Sequence, residues 1–317
     1  MRRFVFYQQK NNVIIGTNLW TYFKPKNLPM FIKKTAIFSL LIIGLVSSVK
    51  AQDSTSKTKS SYFKASTSYL TNSVYGGRKD SLATPYITPA IGYYDKSGFF
   101  VKGSLSYLAA TGDSRIDLFS LETGYDFTIN DKLSGGIYGS KYFYNNSSTS
   151  VRSESKGGLG GSLTYDPGAI TFSGGLDLSF ASKTDINVSG SLAHGFYFGD
   201  KGNEWGISPS VAVNLGTQNY YQDYIKNRKS KGGSRGRGGN TGGTSTIQTT
   251  SSSNFGILDY ELSLPITYDG NKWGLFFTPT YAIPKNPISI ASSTGSGYVT
   301  EKLDNSFYAE FGVYIKF

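Results

Sequence analysis

The sequence predicts an all-β chain, a single transmembrane antiparallel β-barrel of about 12 strands with short turns at one rim and longer loops at the other. Three observations predict it. Residues 61–317 fall into segments in which apolar and polar side chains alternate with period two. The links between those segments alternate between tight and long. Aromatic residues gather on the apolar side of the segments, next to the tight links.

Composition sets the frame. The chain has 317 residues with 38 Gly, 24 Tyr and 21 Phe, poor material for helices and good material for strands. It has no Cys, which excludes a disulfide framework, a thiol nucleophile and a Cys metal site. A single His excludes a His-rich metal centre, so neither a metal nor another cofactor is expected. The net charge of +11 is concentrated at the start: residues 1–51 hold eight Lys/Arg and no Asp or Glu. Without them, 24 basic and 21 acidic residues leave +3, so the charge does not argue for nucleic acid.

The N-terminus explains this imbalance. In MFIKKTAIFSLLIIGLVSSVKA (30–51), Lys33 and Lys34 precede an apolar run from Ala36 to Val49, and Val49 and Ala51 stand third and first before a cleavage position ahead of Gln52. This is the pattern of a cleavable signal peptide, and the run is short for a spanning helix. Residues 1–29 read as an upstream extension from a misplaced start, and 52–60 as a short periplasmic segment.

Alternating segments follow near 61–71, 84–94, 98–109, 115–129, 133–144, 152–165, 169–180, 184–198, 204–215, 255–268, 272–283 and 304–317, with no helical period between them. The tight links are DKSG (95–98), NDK (130–132), DPG (166–168), GDKGN (199–203) and DGN (269–271), which carry the residues such turns require. The others are 72–83, 110–114, 145–151, 181–183, 216–254 and 284–303. An even strand count puts both ends of the barrel at the short-turn rim.

The faces are distinct. Leu258, Tyr260, Leu262, Leu264, Ile266 and Tyr268 alternate with Asp259, Glu261, Ser263, Pro265 and Thr267. The polar face is mostly Ser, Gly and Thr, which suits a crowded or watery interior. Tyr93, Phe99, Phe127, Tyr165, Phe198, Trp205, Tyr268, Trp273 and Phe317 make one aromatic girdle, at the depth where rings favour the lipid headgroups. Tyr69, Tyr107, Phe119, Phe143, Phe180, Tyr281 and Phe307 can supply the other. The apolar face therefore meets the lipid bilayer.

The last segment, SFYAEFGVYIKF (306–317), carries Phe307, Phe311, Val313, Ile315 and Phe317 on one side and ends on Phe. With the strand pattern, this resembles the outer-membrane β-barrel proteins of Gram-negative bacteria, in a porin-like form, and the cleavage region is similar to signal peptides of Bacteroidota. The resemblance covers 61–317 and is architectural. It implies export to the outer membrane, with Phe307, Phe311, Val313, Ile315 and Phe317 as the signal read by the barrel-assembly machinery. It names no substrate.

Candidate chemistry comes from the inward face. Lys64, Lys102, Glu122, Asp126, Glu154, Lys156, Asp177, Asp259, Glu261 and Glu310 are the lumen candidates. Hairpin counting brings Lys102 level with Asp126 and Lys156 close to Asp177, as structural pairs; Asp259 and Glu261 have no such partner and could bind a cation or bias a pore toward cations. His194 shares parity with Leu192 and Phe196 and faces lipid near the short-turn rim, away from Ser189 and Ser191, so the pattern does not form a Ser-His-acid site. KGGLGG (156–161) lies inside a strand and not before a helix, which excludes a phosphate loop. The basic Gly/Ser-rich link 216–254, with Lys226, Arg228, Lys229, Lys231, Arg235 and Arg237, reads as a solvated, disordered outer loop. Its charges suit anionic lipopolysaccharide better than RNA on the cell exterior. The expected function is a narrow passive pore for small solutes or ions. A closed barrel that presents surface loops is the alternative, and a membrane-embedded lipid hydrolase is less favoured.

Overall fold

The structure is a computed structural model that describes residues 60–79, 83–200, 202–232, 249–250, 253–291 and 298–317. The signal peptide, the upstream extension and most of the short N-terminal segment lie outside the described residues. So do Arg235 and Arg237.

Twelve antiparallel strands form the wall among the described residues. They are β1 (Tyr62–Leu70), β2 (Tyr86–Tyr94), β3 (Phe99–Ala110), β4 (Asp113–Asn130), β5 (Leu133–Tyr144), β6 (Gly157–Tyr165) and β7 (Thr171–Phe180). Then come β8 (Thr184–Ala193, continuing as Phe196–Asp200), β9 (Asn203–Ile207, continuing as Ser210–Gly216), β10 (Gly256–Ser263, continuing as Ile266–Gly270), β11 (Trp273–Pro284) and β12 (Ser306–Lys316). Each strand pairs with its sequence neighbours, and β12 pairs with β1 as well as β11, which closes the barrel. The predicted fold class is the observed one, with strand bounds within a few residues of the alternating segments.

Closure fixes the width. The row Lys64–Gly92–Lys102–Glu122–Ser140–Gly158–Ser179 runs from β1 to β7. The path the other way round, through β12 and β11, reaches β7 about 16 residues displaced, which tilts the strands by about 45° and sets a backbone radius of about 12 Å.

The outer face is dominated by apolar side chains. Phe63, Ile91, Leu121, Leu159, Leu176, Leu192, Val211, Leu262 and Phe277 are all exposed large hydrophobics, an inversion of a soluble core that only a lipid solvent tolerates. Phe307, Phe311, Val313, Ile315 and Phe317 lie on this face. At the short-turn rim Trp205, Tyr268 and Trp273 form a chain of ring contacts at 5.1 and 4.8 Å across β9, β10 and β11. Tyr93 packs on Phe63 at 5.1 Å, and Tyr165 on Phe172 at 6.3 Å. Phe198 is exposed beside Trp205, its register partner, and Phe127 covers Gly135.

Three prolines interrupt the wall at one level. Pro209, Pro265 and Pro279 have no N–H to give, yet each carbonyl accepts a neighbour: His194 N at 3.1 Å, Ser208 N at 2.9 Å and Leu264 N at 3.1 Å. The register continues unshifted across the interruptions. Just below that line, Phe196–Asp200 pairs with β9 alone, because β7 begins only at Thr171. His194 sits at this step, with its Nδ1 against the Ala169 carbonyl and its ring edge-on to Phe196 at 4.4 Å. It joins two strands where their ladder ends.

Several expectations are corrected. The link 110–114 is a tight turn around Gly112, whose φ of 79° suits a residue without Cβ. Leu258 does not face lipid: a register shift opposite Asn214/Leu215 turns it inward, where it is buried, and Ile257 takes the outer position. The link 216–254 is not irregular at its start: it opens with a helix, α1 (Asn219–Gly232).

Candidate functional site

The lumen has two storeys. The upper one, on the long-loop side, is filled by chain that folds inward. A small hairpin, Val74–Tyr75 with Arg78–Lys79, turns on Gly76 and Gly77. Both glycines have positive φ and press on the wall: a Cβ on Gly77 would meet Pro284 at 2.6 Å, and one on Gly76 would meet the Tyr220 hydroxyl at 2.8 Å. Val74 joins Leu70, Tyr86, Leu108, Leu118, Ala282 and Tyr308 in one apolar cluster. Val151, Tyr224, Ile225 and Ile288 form a second, packed by Tyr75 and Tyr221. Residues from three loops and α1 thus share a core that the strand pattern alone does not encode.

Three polar anchors hold these loops. At the first, Arg78 and Glu301 pair at 3.0 Å with side chains only 2% and 9% exposed. Arg78 also donates to the carbonyls of Asn286 at 2.9 Å and Gly76 at 3.2 Å. At the second, a bulge opposite Ser106/Tyr107 points Asp117 inward. There it accepts from Tyr86 at 2.5 Å, Ser148 at 2.7 Å and Arg115 at 2.8 Å, tying the 145–156 loop to the wall. At the third, fully buried Asp185 accepts from the backbone N–H groups of Asn219 and Tyr220, both at 2.7 Å, and from Thr217 at 2.6 Å. A carboxylate from β8, the strand beside the one that leads into α1, therefore caps the positive end of the helix.

Beneath the loops lies a cavity of about 150 Å³ lined by Tyr75, Tyr138, Tyr142, Arg152, Asp177, Asn187, Asn214, Glu261 and Tyr308, among others. Arg152 is buried and stacks on the Tyr75 ring at 4.3 Å and the Tyr142 ring at 5.4 Å. Burial pushes the Tyr75 hydroxyl up to about 12, against the opposing pull of Arg152, so it is a neutral group at any physiological pH. Tyr138 donates to Asp177, and Tyr308 to Glu261 at 2.9 Å.

The lower storey is lined by charge and aromatic rings. Lys64 and Lys316 face each other across β1 and β12, with the Tyr314 ring 4.2 and 4.9 Å from their ammonium groups. Tyr62, Tyr94 and Phe100 stack at 5.1 and 5.9 Å. Lys102 bridges Glu122 at 2.9 Å.

The predicted charge pairs need correcting. Lys102 meets Glu122 and not Asp126, because the β3–β4 turn is tight and centred near Gly112. Asp126 lies lower, level with Gly136. Lys156 is four positions from the level of Asp177: the β6–β7 link runs from Asp166 to Ile170, so Asp177 is level with Gly160. Lys156 is exposed at the end of the 145–156 loop, which also contains Glu154. Asp259 and Glu261 are not partnerless, since Asn214 donates to Asp259 at 2.7 Å and Tyr308 to Glu261. Asp259 is fully buried against the hairpin at Gly77, so it is packed and not exposed to passing ions. Glu310 keeps an inward place level with Thr278.

The sequence reading missed Arg78, Asp117, Arg152, Asp185 and Glu301. One signal was available: Tyr220, Tyr221, Tyr224 and Ile225 recur at helical spacing.

No protein-family model matches the chain, and no curated protein matches it. Among solved structures it is similar to a KdgM porin, at 8% identity and a TM-score of 0.44, over 80% of this chain and 99% of that one. It is similar to a NanC porin at 9% identity and 0.42, over 80% and 100%. It is also similar to LpxR from Salmonella typhimurium at 10% identity and 0.43, over 80% and 100%. These likenesses are of general architecture alone.

Proposed function

We propose that the chain is an outer-membrane barrel that works as a narrow passive pore for small solutes or ions. Its function then needs no catalytic group, and His194, bonded to the Ala169 carbonyl on the outer side, serves as a strand tie. The observation that carries the reading is the lower storey: a tilted twelve-strand wall whose inward face is charged and polar, with Lys64, Lys102, Glu122, Asp126, Glu310 and Lys316 facing the axis. A filled interior needs no such row. The upper loops then set how narrow the path is. Insertion would use the barrel-assembly machinery, and the bilayer and lipopolysaccharide would be its surroundings.

A second reading is favoured by the three buried anchors, which are suited to a barrel closed for good and serving as a scaffold for surface loops. Single-channel recording on the protein purified from membranes separates the two. Discrete, salt-dependent steps support the pore. Silence in the wild type and in a Glu301→Gln variant, which breaks the Arg78–Glu301 pair that anchors the hairpin, would sink it and leave the scaffold.

A further inference from the structure

We propose that the cavity beneath the loops is a binding site for a small zwitterion of the α-amino acid type. This inference deepens the pore reading by naming a solute class for its lumen. Its first support is an amide with nothing to bind: the Asn187 Nδ2 and Oδ1 atoms are both buried and both lack a hydrogen-bond partner. A buried amide in that state costs free energy on both its donor and its acceptor side. A carboxylate would take the donor and an ammonium group would satisfy the acceptor.

The second support is the charge inventory of the same cavity. Arg152 is buried with aromatic faces around it, and among the described residues it makes no salt bridge. A guanidinium in that setting calls for an oxyanion. Asp177 and Glu261 line the cavity too, each held by a tyrosine hydroxyl. The wall therefore presents one positive and two negative groups. A simple anion would add charge to a site already negative, and a simple cation would be placed beside Arg152. A zwitterion answers both, with its carboxylate toward Arg152 and the Asn187 amide N–H, and its ammonium toward the Asn187 carbonyl and the carboxylates. The size agrees: the cavity of about 150 Å³ has room for about five waters, enough for an amino acid with a short side chain. Tyr75, Tyr142 and Leu258 offer an apolar wall to a short side chain.

Titration calorimetry on the full chain, purified from membranes in detergent, tests this with L-alanine, sodium acetate and ethylammonium chloride as probes. Saturable binding of L-alanine is expected, with acetate and ethylammonium weaker by about tenfold or more. Arg152→Gln should weaken L-alanine by about tenfold or more. Because that change could also loosen the loops, Asn187→Leu, which keeps the branched four-atom side chain and removes the amide, should do the same with an unchanged thermal unfolding profile. Acetate binding as tightly as L-alanine, ethylammonium doing so, or no saturable heat from L-alanine would each overturn the proposal. Binding without conductance would sink the pore and leave the site; conductance without binding would do the reverse.

Discussion

Replacing Glu301 with Gln should release the Val74–Lys79 hairpin from the lumen wall. The pair it breaks is almost solvent-free, and Arg78 would remain as a buried cation. Removing one member of such a pair costs about 3–5 kcal/mol. The lower end applies here, because Arg78 keeps the Asn286 and Gly76 carbonyls and Gln retains one acceptor oxygen. About 3 kcal/mol off the local opening free energy makes amide exchange roughly a hundredfold faster. Hydrogen exchange read by mass spectrometry on peptides covering 71–79 measures it, with peptides from β4 and β5 as unaffected internal controls. The double variant Arg78→Met/Glu301→Leu removes both charges together and should recover most of the lost protection, since an apolar pair of similar size carries no desolvation cost. Unchanged exchange in Glu301→Gln, or a double variant as fast as the single one, would refute the claim that this ion pair anchors the hairpin.

Other outcomes follow from the same geometry. Asp185→Ala strips the cap from α1 and orphans two backbone N–H groups, a loss of about 1–2 kcal/mol, so trypsin should cut after Lys226 and Arg228 faster than in the wild type. In Gly160→Ala the new methyl would lie 2.5 Å from Tyr138 Cζ, close to Asp177; overpacking of about 1–3 kcal/mol should lower the temperature at which the barrel loses its heat-modifiable gel mobility. Asp95, in an exposed turn, is held well below the ordinary 3.8 chiefly by the Ser97 side chain and N–H, and also by Ser61 and Tyr93. Its folded value is depressed, so its contribution is complete above the unfolded value and is lost as pH falls through the folded one. Carboxyl-carbon NMR should show Asp95 still ionised at pH 3, and a titration near 3.8 would contradict the turn geometry.

The wall was legible because a strand in lipid has a rigid code. Period-two alternation, ring placement at Trp205, Tyr268 and Trp273, and turn chemistry at DKSG and DGN are all local, and each was readable without knowing which strand lay beside which. The Lys102 pairing was lost by a miscount of only a few residues, because the true turn at Gly112 and the bulge at Ser106/Tyr107 leave no trace in polarity. Asp117 was missed and Leu258 misread for the same reason: one extra residue flips every face beyond it.

By itself the sequence determined that the chain is a twelve-strand barrel with an apolar exterior, and where its rims lie. Only the tertiary structure decided what fills it. Arg78 and Glu301 are 223 residues apart, and Asp185 and Asn219 are 34 apart. No local periodicity records such a meeting, because the strands impose alternation on the wall, whereas the loops are shaped by whatever buried charge, amide or ring they meet inside it.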